Sequence, residues 1–88
     1  GARTGLGYVA LRQDRTDEAR QLFQGVVTDA PRSVDALVGL GIAAWRTDDR
    51  ETARDAFTRA QQIDPANADA RDFLARLGPP PAAAPWTG

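Results

Sequence analysis

The sequence predicts an all-α fold built from repeated antiparallel helix pairs, about two and a half units with five helices in all. Three observations carry that expectation. Stretches ending in Pro31 and Pro65 lie over each other without a gap at a step of 34 residues, with Ala2/Ala36, Gly5/Gly39, Leu6/Leu40, Gly7/Gly41, Ala10/Ala44, Arg12/Arg46, Asp14/Asp48, Ala19/Ala53, Arg20/Arg54 and Phe23/Phe57 identical. A third unit begins in phase after Pro65, where Asp69 and Ala70 match Asp35 and Ala36. Finally, apolar residues recur at the spacing of one helix face, and capping residues and prolines stand where one helix must stop and the next begin.

The first helix is expected from about Ala2 to Arg12, and Asp14 is placed to accept hydrogen bonds from the free amides that open the second. The second helix carries Ala19, Leu22, Phe23, Val26 and Val27, an i, i+3, i+4, i+7, i+8 set, until Pro31 ends it. Ser33 caps a third helix that runs to about Thr47. Asp48, with Glu51 three residues on, resembles a capping box for the fourth. That helix turns Ala53, Ala56, Phe57, Ala60 and Ile63 inward and closes at Pro65. Asn67 is a good cap for a fifth helix that stops near Gly78. From Gly78 the Pro79-Pro80-Pro81-Ala82-Ala83-Ala84-Pro85-Trp86 stretch has no helical period and favours extended, polyproline-like backbone. The domain reading is therefore a repeat domain over 1–77, with units at about 1–33 and 34–67 and a terminal helix over 68–77, followed by a Pro/Ala-rich tail or linker over 78–88.

A 34-residue period of helix–turn–helix units, with Leu40-Gly41, Ala44, Ala53, Phe57, Ala60 and Pro65 at their places in the second unit and Leu6-Gly7, Ala10, Ala19, Phe23, Val26 and Pro31 in the first, resembles the tetratricopeptide (TPR) repeat. The resemblance covers residues 2–77 and implies a right-handed superhelical α-solenoid. Three departures stand out. Arg3 and Leu37 occupy the usual Trp position, Ala10 and Ala44 the usual Tyr, and Asp14 and Asp48 the turn position where Gly is common. Asp tolerates left-handed backbone better than most residues, so the turn should survive. Gly7 and Gly41 then fall where the partner helix crosses closely. Gly5 and Gly39 point by helical geometry toward the inner side, either as a shallow floor or as inherited repeat similarity.

Composition bounds the rest. A chain of 88 residues makes at most one domain and buries only about 60% of its unfolded surface. No apolar run approaches the ~18 residues of a membrane span, and residues 1–13 lack the basic start and apolar run of a signal peptide. Cysteine is absent, which leaves cytoplasm and periplasm both open. All eleven basic residues are Arg, read as the coding bias of a GC-rich bacterial genome. A net charge of −1 with both signs interspersed argues against a nucleic-acid surface, which needs a basic stripe.

Catalysis has no foothold. Without His or Cys, the Ser-His-Asp, Cys-His and usual zinc sets cannot be built. The Asp48-Asp49 and Asp14/Asp17 pairs sit at helix starts, where carboxylates favour exposed amides and the helix dipole. Gly5-Leu6-Gly7 lacks the Lys-Ser/Thr of a phosphate loop. No enzyme, cofactor or metal is expected.

What remains is a binding surface. In the TPR family the first helix of each unit lines a concave groove, and this puts Thr4, Tyr8, Leu11 and Arg12, then Asp35, Val38, Ile42, Trp45 and Arg46, then Asp69, Asp72, Phe73 and Arg76 on one wall. The core of the expected site is Tyr8, Leu11, Arg12, Val38, Ile42, Trp45, Arg46 and Phe73: an apolar stripe with charged edges. Trp45 either anchors a partner or packs near Phe73 and seals the stack. The wall lacks the Lys and Asn with which TPR receptors clamp a C-terminal carboxylate. The resemblance implies a protein-interaction scaffold whose partner is a protein or peptide segment, with no nucleic acid and no membrane insertion. Two further readings stand beside it. Gly5 to Gln13 resembles repeats of bacterial polysaccharide-export proteins such as the cellulose-synthase outer-membrane subunit, and a regulatory appendage of a larger enzyme or transcription factor is the other. The first helix begins in mid-pattern and the fifth is polar, so the array is expected to continue upstream and end here. Exposed repeat ends open a route to homo-oligomers, and the Pro85-Trp86 end either docks in a groove or links to a following domain.

Overall fold

A computed structural model describes residues 2–78 of the chain. Its order is α1 (Ala2–Arg12), α2 (Thr16–Asp29), α3 (Val34–Arg46), α4 (Arg50–Ile63) and α5 (Ala68–Leu77), with no strand among the described residues. Successive helices pack on one another, and α1 also touches α3, so α1 and α3 lie side by side with α2 and α4 behind them. The expectation for the Pro85-Trp86 end lies outside the described residues.

The two turns within the pairs explain why Asp replaces Gly. Asp14 and Asp48 both adopt left-handed backbone, at φ 61° and 62°. The Asp14 amide donates to the Leu11 carbonyl and the Arg15 amide to that of Ala10; Asp48 and Asp49 donate in the same way to Trp45 and Ala44. This is the paired 5→2 and 6→1 closure of a Schellman motif, with Asp at the left-handed position. It also corrects the expected caps. Because each Asp is spent on ending a helix, the cap of the next one moves one residue on. Asp49, not Asp48, accepts from the Thr52 amide, and Arg15 stands at the head of α2 with no side-chain cap bond. Ser33 and Asn67 cap α3 and α5 as expected, accepting from the amides of Ala36 and Ala70.

The core is a ladder of rings and glycines. Phe23 and Phe57 are fully buried. A Cβ on Gly7 would lie 2.6 Å from the Phe23 ring, and one on Gly41 2.6 Å from Phe57. The second helix of each pair thus reaches the first through the space a side chain would fill. Gly39 departs from the expected shallow floor: it is buried, and its Cβ would stand 2.4 Å from the same Phe23 ring. Phe23 is therefore wedged between a glycine of its own unit and one of the next. At the position one period after Gly39 stands Phe73, which stacks on Phe57 at 4.8 Å with rings 2° from parallel. Around these rings the small residues Ala19, Ala36, Ala44, Ala53, Ala60 and Ala70 are buried, which lets the helices approach.

Arginines at matching positions couple each helix pair to the segment after it. Arg20 donates to Asp49 at 2.6 Å and to the Thr47 hydroxyl at 3.3 Å, while Arg54 donates to the carbonyls of Gly78 and Leu77 that close α5. Asp49 is a cap and an ion-pair partner at once. Its carboxyl is held at about 2, down from 3.8, first by the Arg20 hydrogen bond and then by the Thr52 hydroxyl and amide. A carboxylate whose folded pKa is depressed adds stability above its unfolded pKa and loses it as pH falls toward the folded value. The urea midpoint should therefore fall between about pH 4 and pH 2, and Arg20→Ala should flatten much of that slope; an unchanged slope in the variant would assign it to other carboxylates.

Candidate functional site

The first helices of the units, α1, α3 and α5, build the face on which the expected site lies. Tyr8 is half-buried, its ring edge-on to Phe23 at 4.9 Å. Its hydroxyl donates to the Asp35 carbonyl at 2.7 Å, which ties α1 to the first turn of α3. At the other end Arg46 donates to the Leu11 carbonyl at 2.8 Å, tying the end of α3 back to α1. Trp45 is half-buried and meets Phe73 edge-on at 5.7 Å, so the seal between α3 and α5 is the role the contacts give it. Cations cover both rings: the Arg50 guanidinium lies 5.8 Å from the Trp45 centroid and that of Arg76 5.3 Å from Phe73.

Two members of the expected apolar stripe are core residues instead. Leu11 is 4% exposed and Val38 3%. The reason is geometric: α3 is flanked by α1, α2 and α4, so the arc of its surface left open is narrower than one apolar stripe. What stays open is a smaller set, with Tyr8, Ile42, Trp45 and Phe73 half-buried, Arg12 and Arg46 exposed, and Asp35, Asp69, Asp72 and Arg76 exposed beside them. Thr4 is buried and leaves the wall as well. Acid sits in the first turns of α3 and α5, as Asp35 and Asp69, and arginine in the last turns of α1, α3 and α5, as Arg12, Arg46 and Arg76, as the helix dipoles favour.

Tyr8 feels that acid edge. Burial first, then the negative charges of Asp35 and Asp69, hold the phenol protonated and push its pKa from 10.0 up to about 12. A raised pKa gives stability that is complete below the unfolded value and lost as pH rises through the folded one. The chain has one Tyr, no Cys and no Lys, so no other side chain has an ordinary pKa near 10. Stability should hold to about pH 10 and then decline, and Tyr8→Phe should remove the decline; a decline that persists in the variant would refute the assignment. Among the described residues no cluster of three or more acidic side chains could hold a metal ion, and no helix is long and apolar enough to cross a membrane.

Sequence reasoning passed over one surface. Leu6, 56% exposed, and Val9, 36% exposed, lie on α1 beside an open groove of about 390 Å³ shared with Leu22 and Gly25 of α2. Their counterparts one period on, Leu40 and Ala43, are buried, and stepping by 34 would have found them.

Comparisons with known proteins agree with this architecture. The family described as tetratricopeptide repeat matches residues 4–68. Protein CTR9 homolog of Arabidopsis thaliana is 37% identical over 76 residues, covering 83% of this chain and 7% of its own length. Cellulose synthase 2 operon protein C of Komagataeibacter xylinus is 37% identical over 76 residues, 77% of this chain and 6% of its own. The chain thus spans less than a tenth of either relative. With the 34-residue period, five helices in packed pairs and a family match over most of its length, the chain belongs to the tetratricopeptide repeat family.

Proposed function

We propose that the chain is a non-enzymatic scaffold that holds a segment of a partner protein against the face built by α1, α3 and α5. The observation that carries this reading is the open set Tyr8, Ile42, Trp45 and Phe73, flanked by exposed Arg12 and Arg46 at one end and Asp35 and Asp69 at the other. Half-buried aromatic side chains supply large contact area at little cost in side-chain entropy, and Trp, Tyr and Arg are enriched among residues that dominate binding energy. The charged ends favour one direction of a bound segment, with its basic groups toward Asp35 and Asp69. Absence of His and Cys from the sequence supports the non-enzymatic part.

Two finer readings remain proposals. A periplasmic scaffold of a bacterial polysaccharide (cellulose) export complex is supported by the name of the Komagataeibacter relative, and a regulatory appendage of a larger protein is the other. Identity is the same to two proteins of very different name, which supports shared repeats more than a shared complex. Purification of the chain's partners from the native source tests the two: an envelope export complex supports the first, and a single larger protein carrying the repeats supports the second.

A displayed peptide library selected on the chain tests the scaffold reading. Trp86→Phe leaves Trp45 as the sole tryptophan of the two and a reporter on the wall. Selected segments should change its emission, bind tenfold or more weakly to Ile42→Arg, and bind unchanged to Leu6→Glu on the opposite side of α1. Segments that ignore Ile42→Arg would move the site elsewhere.

A further inference from the structure

Given the scaffold reading, on which this rests, we propose that the segment held by the wall is an amphipathic helix lying antiparallel to α1, α3 and α5, acidic in its first turn and basic in its last. Two features of the wall select it. One is the scarcity of side chains that could hydrogen-bond an extended backbone, and the other is the order of the charges along the wall.

No Asn, Gln or Ser occurs in α1, α3 or α5. Their hydroxyls are those of Thr4, which is buried, and Tyr8, whose proton is already donated to the Asp35 carbonyl. The glutamines lie on α2, on α4 and in the turn after α1, and Asn67 is spent capping α5. An extended segment carries a donor and an acceptor on nearly every residue. Those turned toward Ile42, Trp45 and Phe73 would leave water with almost no partner, at a cost for each group. A helix bonds its backbone to itself and presents only side chains. Ile42 and Trp45, three residues apart on α3, and the rings given by α1 and α5, Tyr8 and Phe73, are an apolar surface of the kind that takes the apolar face of such a helix.

Charge then sets the direction. Asp35 and Asp69 stand in first turns and Arg12, Arg46 and Arg76 in last turns of the wall helices. Among the described residues Asp35, Asp69 and Arg12 enter no ion pair, so their charges are left for a partner to meet. The field of the acid edge reaches into the wall, since Asp35 and Asp69 both help to hold the Tyr8 phenol protonated. Any helix favours acid in its first turn and base in its last. Laid parallel to α3, such a helix sets acid against Asp35 and Asp69 and base against the arginines. Laid antiparallel, it meets opposite charge at both ends.

Two displayed peptide libraries test this on the chain, each of about 14 residues to match the length of α3. One fixes Leu at helical spacing and leaves the other positions random; the second carries Pro at every third position, which forbids a helix. Binders that Ile42→Arg abolishes should come from the first library, with Asp or Glu enriched in the first turn and Arg or Lys in the last. Exchanging those charges in a selected peptide should weaken it about tenfold or more, and Asp69→Asn should weaken the unexchanged peptide about two- to fivefold. Wall binders drawn from the Pro library, or helical ones of the opposite polarity, would overturn the helix while leaving the scaffold reading in place. Binders that all ignore Ile42→Arg would remove both. Deleting residues 79–88 should leave affinity unchanged. A tenfold gain would make the chain's own tail the occupant, and a dimer that Ile42→Arg dissociates would make it a second copy; either result overturns the proposal.

Discussion

Phe23→Ala should cost about 3–5 kcal/mol, the range for truncating a fully buried phenylalanine, and Phe57→Ala a similar amount. Each ring is 0% exposed, and neither site can collapse readily, because glycine backbone lines it. The void left by Phe23 opens onto Gly7, Gly39 and the Tyr8 ring; that left by Phe57 opens onto Gly41 and Phe73. Total stability for a repeat domain of this length is only about 4–12 kcal/mol at the usual per-residue value, so either variant should lose most of its helical circular dichroism at temperatures the parent tolerates. Melting at the parental temperature would mean that the rings are not the centre of the core. The two variants should differ in one respect. Phe23→Ala releases Tyr8 and should bring its titration back toward 10, whereas Phe57→Ala frees Phe73 and with it the contact between Trp45 and α5.

Gly39→Ala should be destabilising although alanine is the better helix former. The gain in propensity is about 1 kcal/mol, but the new methyl would stand 2.4 Å from ring carbons that have no exposed surface to move into. Overpacking a tight core costs about 1–3 kcal/mol and sometimes more, so the clash outweighs the propensity. Gly41→Ala, 2.6 Å from Phe57, should behave likewise. Gly7→Ala combined with Gly39→Ala should be less than additive, since both press on one ring and a shift that relieves the first also answers the second. Urea denaturation of the single and double variants measures this, and a stabilised Gly39→Ala would show that the ring moves freely.

Much of this was legible before any coordinate. The period, five helices, the buried rings, the Gly7 and Gly41 contacts and the tolerance of Asp14 and Asp48 for left-handed backbone come from residue type at a fixed spacing. What the pattern could not supply is how many neighbours surround a given helix. Leu11 and Val38 read as a surface stripe because helical spacing tells which residues share a face, not whether another helix lies across it. Gly39 was misplaced for the same reason, since its explanation is a side chain 16 positions earlier, on the helix of another unit. At the second turn the cap slipped by one because Asp48, which ends α3, and Asp49, which begins α4, are adjacent, and at the first the cap position fell to Arg15, which has no side-chain acceptor; only backbone geometry separates these tasks. Arg20 and Arg54 gave a sequence signal, identity at one period, without revealing their targets.

The wedge of Phe23 between Gly7 and Gly39 also governs how the chain folds. A ring shared by two units means that neither can open without emptying the other, so melting should follow one cooperative transition and not a stepwise fraying from the ends. Yet among the described residues the tertiary hydrogen bonds join positions no more than 35 apart. Loops that short close quickly and at small entropic expense. Equilibrium cohesion and kinetic speed, which oppose each other in folds stitched from distant segments, are here supplied by the same ring.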